Sequence, residues 1–148
     1  RTKIKKLGDV FKEAGNNFKK CDILWANPTS PFISPKTIKK IISVYRKSRP
    51  KDGLVTCVKI NEYFLDDRKI PLDVKLKKEM ISRKNIKPLF KITNGIYLSD
   101  YKIYQNSKPF GHKPKIYLIN WLSSLEINTF DDLNIYKLLL AHYLKKEK

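Results

Sequence analysis

This chain has few of the residues that usually announce chemistry. It holds two cysteines and two histidines in 148 residues. Cys21 and Cys57 are spaced unlike any zinc or redox motif, and both fall in predicted buried strands, so reduced core thiols are expected. His112 and His142 are far apart and lack ligand spacing. No Ser/His/Asp constellation can be assembled, and neither form of glycine-rich phosphate loop occurs, G-x-x-x-x-G-K-[ST] or G-x-G-x-x-G. No apolar run is long enough to span a bilayer, which excludes a membrane partner on this reading. No signal peptide is visible, so the cytoplasm is the default location. Internal repeats and low-complexity tracts are also absent.

Acidic residues are scarce too: 14 against 32 lysines and arginines, a net charge of +18. That excess invites a nucleic-acid reading, because phosphate binding uses basic surface. Only five of the 32 are arginine (Arg1, Arg46, Arg49, Arg68 and Arg83). Forked phosphate and base contacts favour arginine over lysine. The lysines are spread over every segment rather than massed in one block. Solvated lysines are therefore the preferred reading, with salt-dependent, nonspecific attraction to polyanions as the consequence. A basic nucleic-acid-binding domain stands as an alternative.

Hydrophobic content of 41% argues for a folded chain, and the length allows one domain, taken as 1–148. Lys3 to Ala14 reads as an amphipathic helix carrying Ile4, Leu7, Val10 and Phe11, stopped by Gly15-Asn16-Asn17. Ile23–Ala26 is a short buried strand. Asn27-Pro28-Thr29-Ser30-Pro31 breaks it, since two prolines fix φ and remove two donors. Ser34 caps a helix with Pro35 at its first position, and Ile38, Ile41, Ile42 and Tyr45 form one apolar stripe to Lys47. Asp52-Gly53 is a turn before the β-branched strand Leu54–Ile60. Strand, helix, strand predicts parallel pairing of Ile23–Ala26 with Leu54–Ile60.

Asn61 to Lys91 is polar and irregular, with Asp66-Asp67 as turn material. This is the character of a surface loop or of a substrate-facing excursion. Ile92–Leu98 reads as a strand, Asp100–Asn106 as a short helix capped by Ser99, and Lys115–Asn120 and Ser124–Ile127 as strands. Thr129 to Asp132 is a capping-box pattern that opens a last helix, with Leu133, Tyr136, Leu140 and Tyr143 or Leu144 inward.

Three constellations could carry chemistry. The loop from Asn27 supplies an amide and hydroxyls at a strand's carboxyl end, the side that faces the crevice of open α/β sheets. It is equally a proline-rich turn. In Thr93-Asn94-Gly95-Ile96-Tyr97, glycine inside a strand marks close approach by ligand or by chain. Glu126 and Asn128, two apart on a strand, would turn both side chains to one face, where their oxygens could share an ion.

These segments, in this order, resemble the acylneuraminate cytidylyltransferases. Asn27-Pro-Thr-Ser-Pro-Phe is similar to that family's Gln/Asn-x-Thr-Ser-Pro segment. Thr93–Leu98 resembles its Asn-Gly-x-Ile-Tyr, and Ser124–Leu133 its Asp-x-Asp before threonine. The resemblance covers the carboxyl-terminal two thirds or so of that family's domain. It implies a three-layer, Rossmann-like α/β nucleotidyltransferase fold, incomplete at the amino terminus. The implied activity is transfer of CMP from CTP to an acidic nine-carbon sugar with loss of pyrophosphate; a deoxyoctulosonate cytidylyltransferase is the neighbouring option. It implies Asn27, Thr93, Asn94 and Tyr97 as substrate contacts, and Glu126 and Asn128 as ligands of Mg²⁺. Two alignments of the second motif stay open, one through Asn94-Gly95 and one through Tyr97, and they assign strand faces differently. A homodimer is compatible with the resemblance. The family's phosphate loop, of the type Ala-Arg-x-x-Ser-Lys-Gly, has no counterpart here. It is expected upstream of Arg1 or missing, which would leave the isolated chain inactive.

Overall fold

A computed structural model describes residues 6–146, with side chains over 6–140. Ile4 and the side chains of His142, Tyr143 and Leu144 lie outside the described residues. Four strands form one sheet: β1 (Asp22–Ala26), β2 (Leu54–Ile60), β3 (Leu89–Asp100) and β4 (Lys115–Leu118), in the order β1-β3-β2-β4. Four helices accompany them: α1 (Leu7–Asn17), α2 (Pro35–Ser48), α3 (Tyr101–Gln105) and α4 (Phe130–Lys146).

Alternation along the strands builds two cores. Ile23, Val55, Cys57 and Tyr97 face α1 and α3, and pack on Phe11 and Tyr104. Leu24, Leu54, Ile96 and Leu98 face α2, and pack on Ile41 and Tyr45. Helices therefore cover both faces of the sheet, the three-layer α/β arrangement expected from the sequence. The α2 stripe lies where its spacing places it, with Ile41 and Tyr45 buried. Its cap forms as well: the Thr37 N–H donates to Ser34 Oγ at 3.2 Å. Among the described residues no helix is long and apolar enough to cross a membrane.

The expected pairing of the first two strands is corrected. β1 and β2 run the same way but do not touch, because β3 lies between them, antiparallel to both. The reason is burial. Gly95 to Ser99 is buried without interruption, the pattern of a strand covered on both faces. That segment takes the central position although it comes later in the chain. β2 still has a parallel partner, β4, in register from Leu54 with Lys115 to Cys57 with Leu118.

Other boundaries shift for identifiable reasons. α1 runs through Gly15, which serves packing and does not end the helix. A Cβ at Gly15 would lie 2.5 Å from the Gln105 backbone nitrogen, so only glycine lets α1 sit this close to α3. Asp100, not Ser99, caps α3 by accepting from the Lys102 N–H at 2.9 Å. Ser99 is buried and donates to the Pro109 carbonyl at 2.9 Å. Cys21 is exposed, just before β1, whereas Cys57 is buried as expected. Ser124–Ile127 is not a strand: a 3-10 turn spans Leu122–Ser124, and an unpaired stretch follows it. The α4 cap forms, with Asp132 Nα donating to Thr129 Oγ1 at 3.1 Å and Thr129 Nα to Asp132 Oδ2 at 2.8 Å. Asp66 is turn material, accepting from the Arg68 and Ile70 N–H groups.

Candidate functional site

The three constellations, distant in sequence, meet at the carboxyl end of β1. Asn27 follows that strand directly, and its N–H donates to the Gly95 carbonyl at 3.0 Å. Two residues on, the Thr29 carbonyl accepts from the Ile127 N–H at 2.8 Å. Asn94 then closes the triangle. Its backbone N–H donates to Glu126 Oε1 at 3.1 Å and its side-chain amide to Oε2 at 2.9 Å. The Tyr97 hydroxyl donates to Asn94 Oδ1 at 2.6 Å.

A bulge in β3 makes this possible. Val55 faces Tyr97, yet Cys57 already faces Ile92, so Thr93 to Ile96 loop out of the ladder opposite Thr56. A regular strand would send Asn94 and Tyr97 to opposite faces. The bulge resets that alternation and brings the amide under the phenol. The choice between the two alignments of this motif thus presupposed a regular strand, and the strand is not regular.

The Thr56 side chain fills the gap left in the ladder. Its hydroxyl accepts from the Ile96 N–H at 3.0 Å and donates to the Ile96 carbonyl at 3.3 Å. The Thr93 hydroxyl reaches Thr56 Oγ1 at 2.8 Å and the Thr56 carbonyl at 3.1 Å. Thr93 is only 1% exposed. It points into the sheet and braces the bulge through Thr56. Gly95 is a point of close approach by the chain itself, since a side chain there would run into Ile33. Sequence reasoning missed Thr56; a lone hydroxyl in the apolar run Leu54-Val-Thr-Cys-Val58 was the available signal.

The electrostatics favour an ionised Glu126. Burial alone would raise its carboxyl, but the Asn94 N–H and amide, the Asn128 amide and Lys91 together hold it below the usual range. Burial, then the negative charge of Glu126 and the Cys57 thiol, push the Tyr97 phenol up. Tyr97 therefore stays protonated and donates. Its ring is 7% exposed and stacks in a tilted arrangement on Phe110 at 5.7 Å.

The metal expectation fits poorly. The alternation that would have aimed Glu126 and Asn128 at one ion is lost with the strand. Both Glu126 oxygens accept from Asn94. The Asn128 side chain also helps to lower the Glu126 carboxyl. Among the described residues no group of three or more His, Cys, Asp or Glu side chains is placed to hold a metal ion. In this structure Glu126 is part of a hydrogen-bonded joint with Asn94.

Beside the joint, Phe32 and Tyr136 bring α4 against the β1 loop with ring centroids 5.2 Å apart. Pro31, Phe32, Glu126 and Tyr136 help line a small cavity of about 50 Å³ there. A larger one, about 540 Å³, lies within the 61–91 excursion between Tyr63, Phe64, Leu72, Asp73, Ile86 and Leu89. Asp73 ties that excursion together by accepting from the Lys75 and Lys87 N–H groups.

No family model and no curated protein matches the chain. Among solved structures it is similar to the 4-diphosphocytidyl-2C-methyl-D-erythritol synthase of Anaerococcus prevotii, with a TM-score of 0.64 at 16% identity. The chain shares that synthase's fold. The superposition covers 93% of this chain and 65% of the synthase, so the chain spans a little under two thirds of that enzyme's length. The likeness is one of fold, in keeping with the three-layer α/β arrangement expected from the sequence.

Proposed function

We propose that this chain acts in CTP-dependent sugar cytidylyl transfer. The observation that carries the reading is the joint itself. Three motifs similar to those of cytidylyltransferases, from three regions of the sequence, are hydrogen-bonded to one another at the carboxyl end of β1. Ligands of open α/β sheets bind at that end. The shared fold with a diphosphocytidyl sugar-alcohol synthase supports the same reaction class.

In this reading a sugar hydroxyl oxygen attacks the α-phosphorus of CTP. A new P–O bond forms to CMP, the bond to the β-phosphate breaks, pyrophosphate leaves, and the hydroxyl proton passes to solvent. The chain's own contribution is positioning. Asn27 and Asn94 present amides to the sugar or nucleotide, while Tyr97 and Glu126 hold Asn94. Mg²⁺ would arrive with the triphosphate rather than on a Glu126–Asn128 pair, and would supply charge neutralisation there. The motif resemblance points to an acidic nine-carbon sugar as one acceptor. The fold neighbour makes another sugar or sugar phosphate an equal option.

The test is CTP-dependent pyrophosphate release with N-acetylneuraminate, a deoxyoctulosonate and a methylerythritol phosphate in parallel. It is run on the 148-residue chain and on the full-length protein. Turnover with one acceptor names the substrate. Folded protein that releases no pyrophosphate with any of them, and does not bind CTP, refutes the reading.

A further inference from the structure

We propose that Glu126 is a positioning residue that locks the Asn94 amide in one orientation, leaving a single N–H to recognise a neutral acceptor oxygen on the substrate. The inference deepens the function proposed above and rests on it for the identity of the ligand. The lock follows from the partners. Asn94 Oδ1 accepts from the Tyr97 hydroxyl at 2.6 Å, and Nδ2 donates to Glu126 Oε2 at 2.9 Å. Exchanging the two ends of the amide would set Oδ1 against a carboxylate oxygen and Nδ2 against a hydroxyl that already donates. The Tyr97 hydroxyl could turn to accept from Nδ2, but the contact of Oδ1 with the acceptor-only carboxylate would be repulsive, so Glu126 is what fixes the orientation.

The backbone is fixed by the same carboxylate, because Glu126 Oε1 takes the Asn94 N–H at 3.1 Å. Behind it, the bulge is pinned by Thr56 and Thr93. Asn94 is nevertheless solvent-exposed. An amide NH₂ has two hydrogens, and Glu126 takes one. The other is a donor on an exposed side chain with an anionic neighbour. A donor in that place suits a sugar hydroxyl or an amide carbonyl oxygen. It suits a carboxylate badly, because the Glu126 charge lies within hydrogen-bond distance of the same nitrogen. Asn94 therefore reads a neutral part of the sugar, and an acidic group on the substrate is read elsewhere.

The experiment uses the full-length protein and the variants Glu126→Gln, Tyr97→Phe and Asn94→Ala. The side-chain NH₂ resonances of Asn94, assigned by their loss in Asn94→Ala, are followed by ¹⁵N NMR. In Glu126→Gln and in Tyr97→Phe they should move and exchange faster, while the rest of the spectrum stays folded. Steady-state kinetics with CTP and the active acceptor should show the KM for the sugar raised about tenfold in Glu126→Gln, a change of about 1.4 kcal/mol. The KM for CTP, the half-saturating Mg²⁺ concentration and kcat should each stay within about twofold. Asn94 resonances unmoved in Glu126→Gln, with a raised Mg²⁺ requirement, would overturn the proposal and make Glu126 a metal ligand. If no acceptor turns over and CTP does not bind, the function proposed above fails, and the NMR arm still decides whether Glu126 and Tyr97 lock Asn94.

Discussion

Replacing Thr56 by valine tests whether one hydroxyl holds the bulge on which Asn94 stands. Valine matches threonine in shape but cannot accept from the Ile96 N–H or donate to the Ile96 carbonyl, bonds of 3.0 and 3.3 Å. Ile96 turns these groups toward β2, where the bulge has carried the backbone partner out of reach. Thr56 and Ile96 are both buried, 0% and 1% exposed, so water cannot replace the lost partner without opening the sheet. A buried unsatisfied N–H costs about 1–3 kcal/mol. The Thr93 hydroxyl keeps the Thr56 carbonyl at 3.1 Å and adds little to that loss. The expected destabilisation is about 2 kcal/mol, a fall in Tm of roughly 6 °C for a chain of this size. Thr56→Ser keeps the hydroxyl and loses one methyl group, so it should cost only about 1 kcal/mol. Urea unfolding of the three proteins, followed by circular dichroism, measures both values. Thr56→Val as stable as wild type, or less destabilised than Thr56→Ser, would refute the argument that the hydroxyl bridges the ladder.

Two further outcomes follow from the same structure. Tyr104 is buried in the cluster with Phe11, Tyr97 and Val55, and among the described residues its hydroxyl has no hydrogen-bond partner, so Tyr104→Phe should be neutral or stabilising by about 1 kcal/mol; a clear loss of stability in urea would reveal a partner for that oxygen. Glu126 is held below the ordinary carboxyl range by Asn94, Asn128 and Lys91 against the opposing effect of burial. The stability it contributes is present above the unfolded carboxyl value, about 4.3, and is lost as pH falls through its lower folded value. Glu126→Gln should therefore flatten the stability–pH curve below about pH 4.5, and an unchanged curve in urea titrations at pH 3 to 6 would count against the ionised joint.

Local chemistry made part of this protein legible from its sequence. The α2 stripe from Ile38 to Tyr45, the Ser34 cap and the Thr129–Asp132 capping pair depend on neighbours within a few residues, and all formed as read. The α/β class followed from the alternation of such segments, and the resemblance singled out the motifs that meet at the joint. Tertiary structure decided the rest. The central place of β3 depends on which strand is buried on both faces, and no local signal in β1 or β2 announces a later strand between them. The facing of Thr93, Asn94 and Tyr97 was set by a bulge that exists only because Thr56, from another strand, replaces a missing ladder partner. Glu126 and Asn128 read as a metal pair only while they lay on a strand. Once the chain there left the sheet, the Asn94 amide and N–H took the half-buried carboxylate, because a loop outside the ladder is free to turn its charge toward the nearest donors. Periodicity fixes which side chains could share a face in a regular element. Hydrogen bonds between elements decide whether the element stays regular.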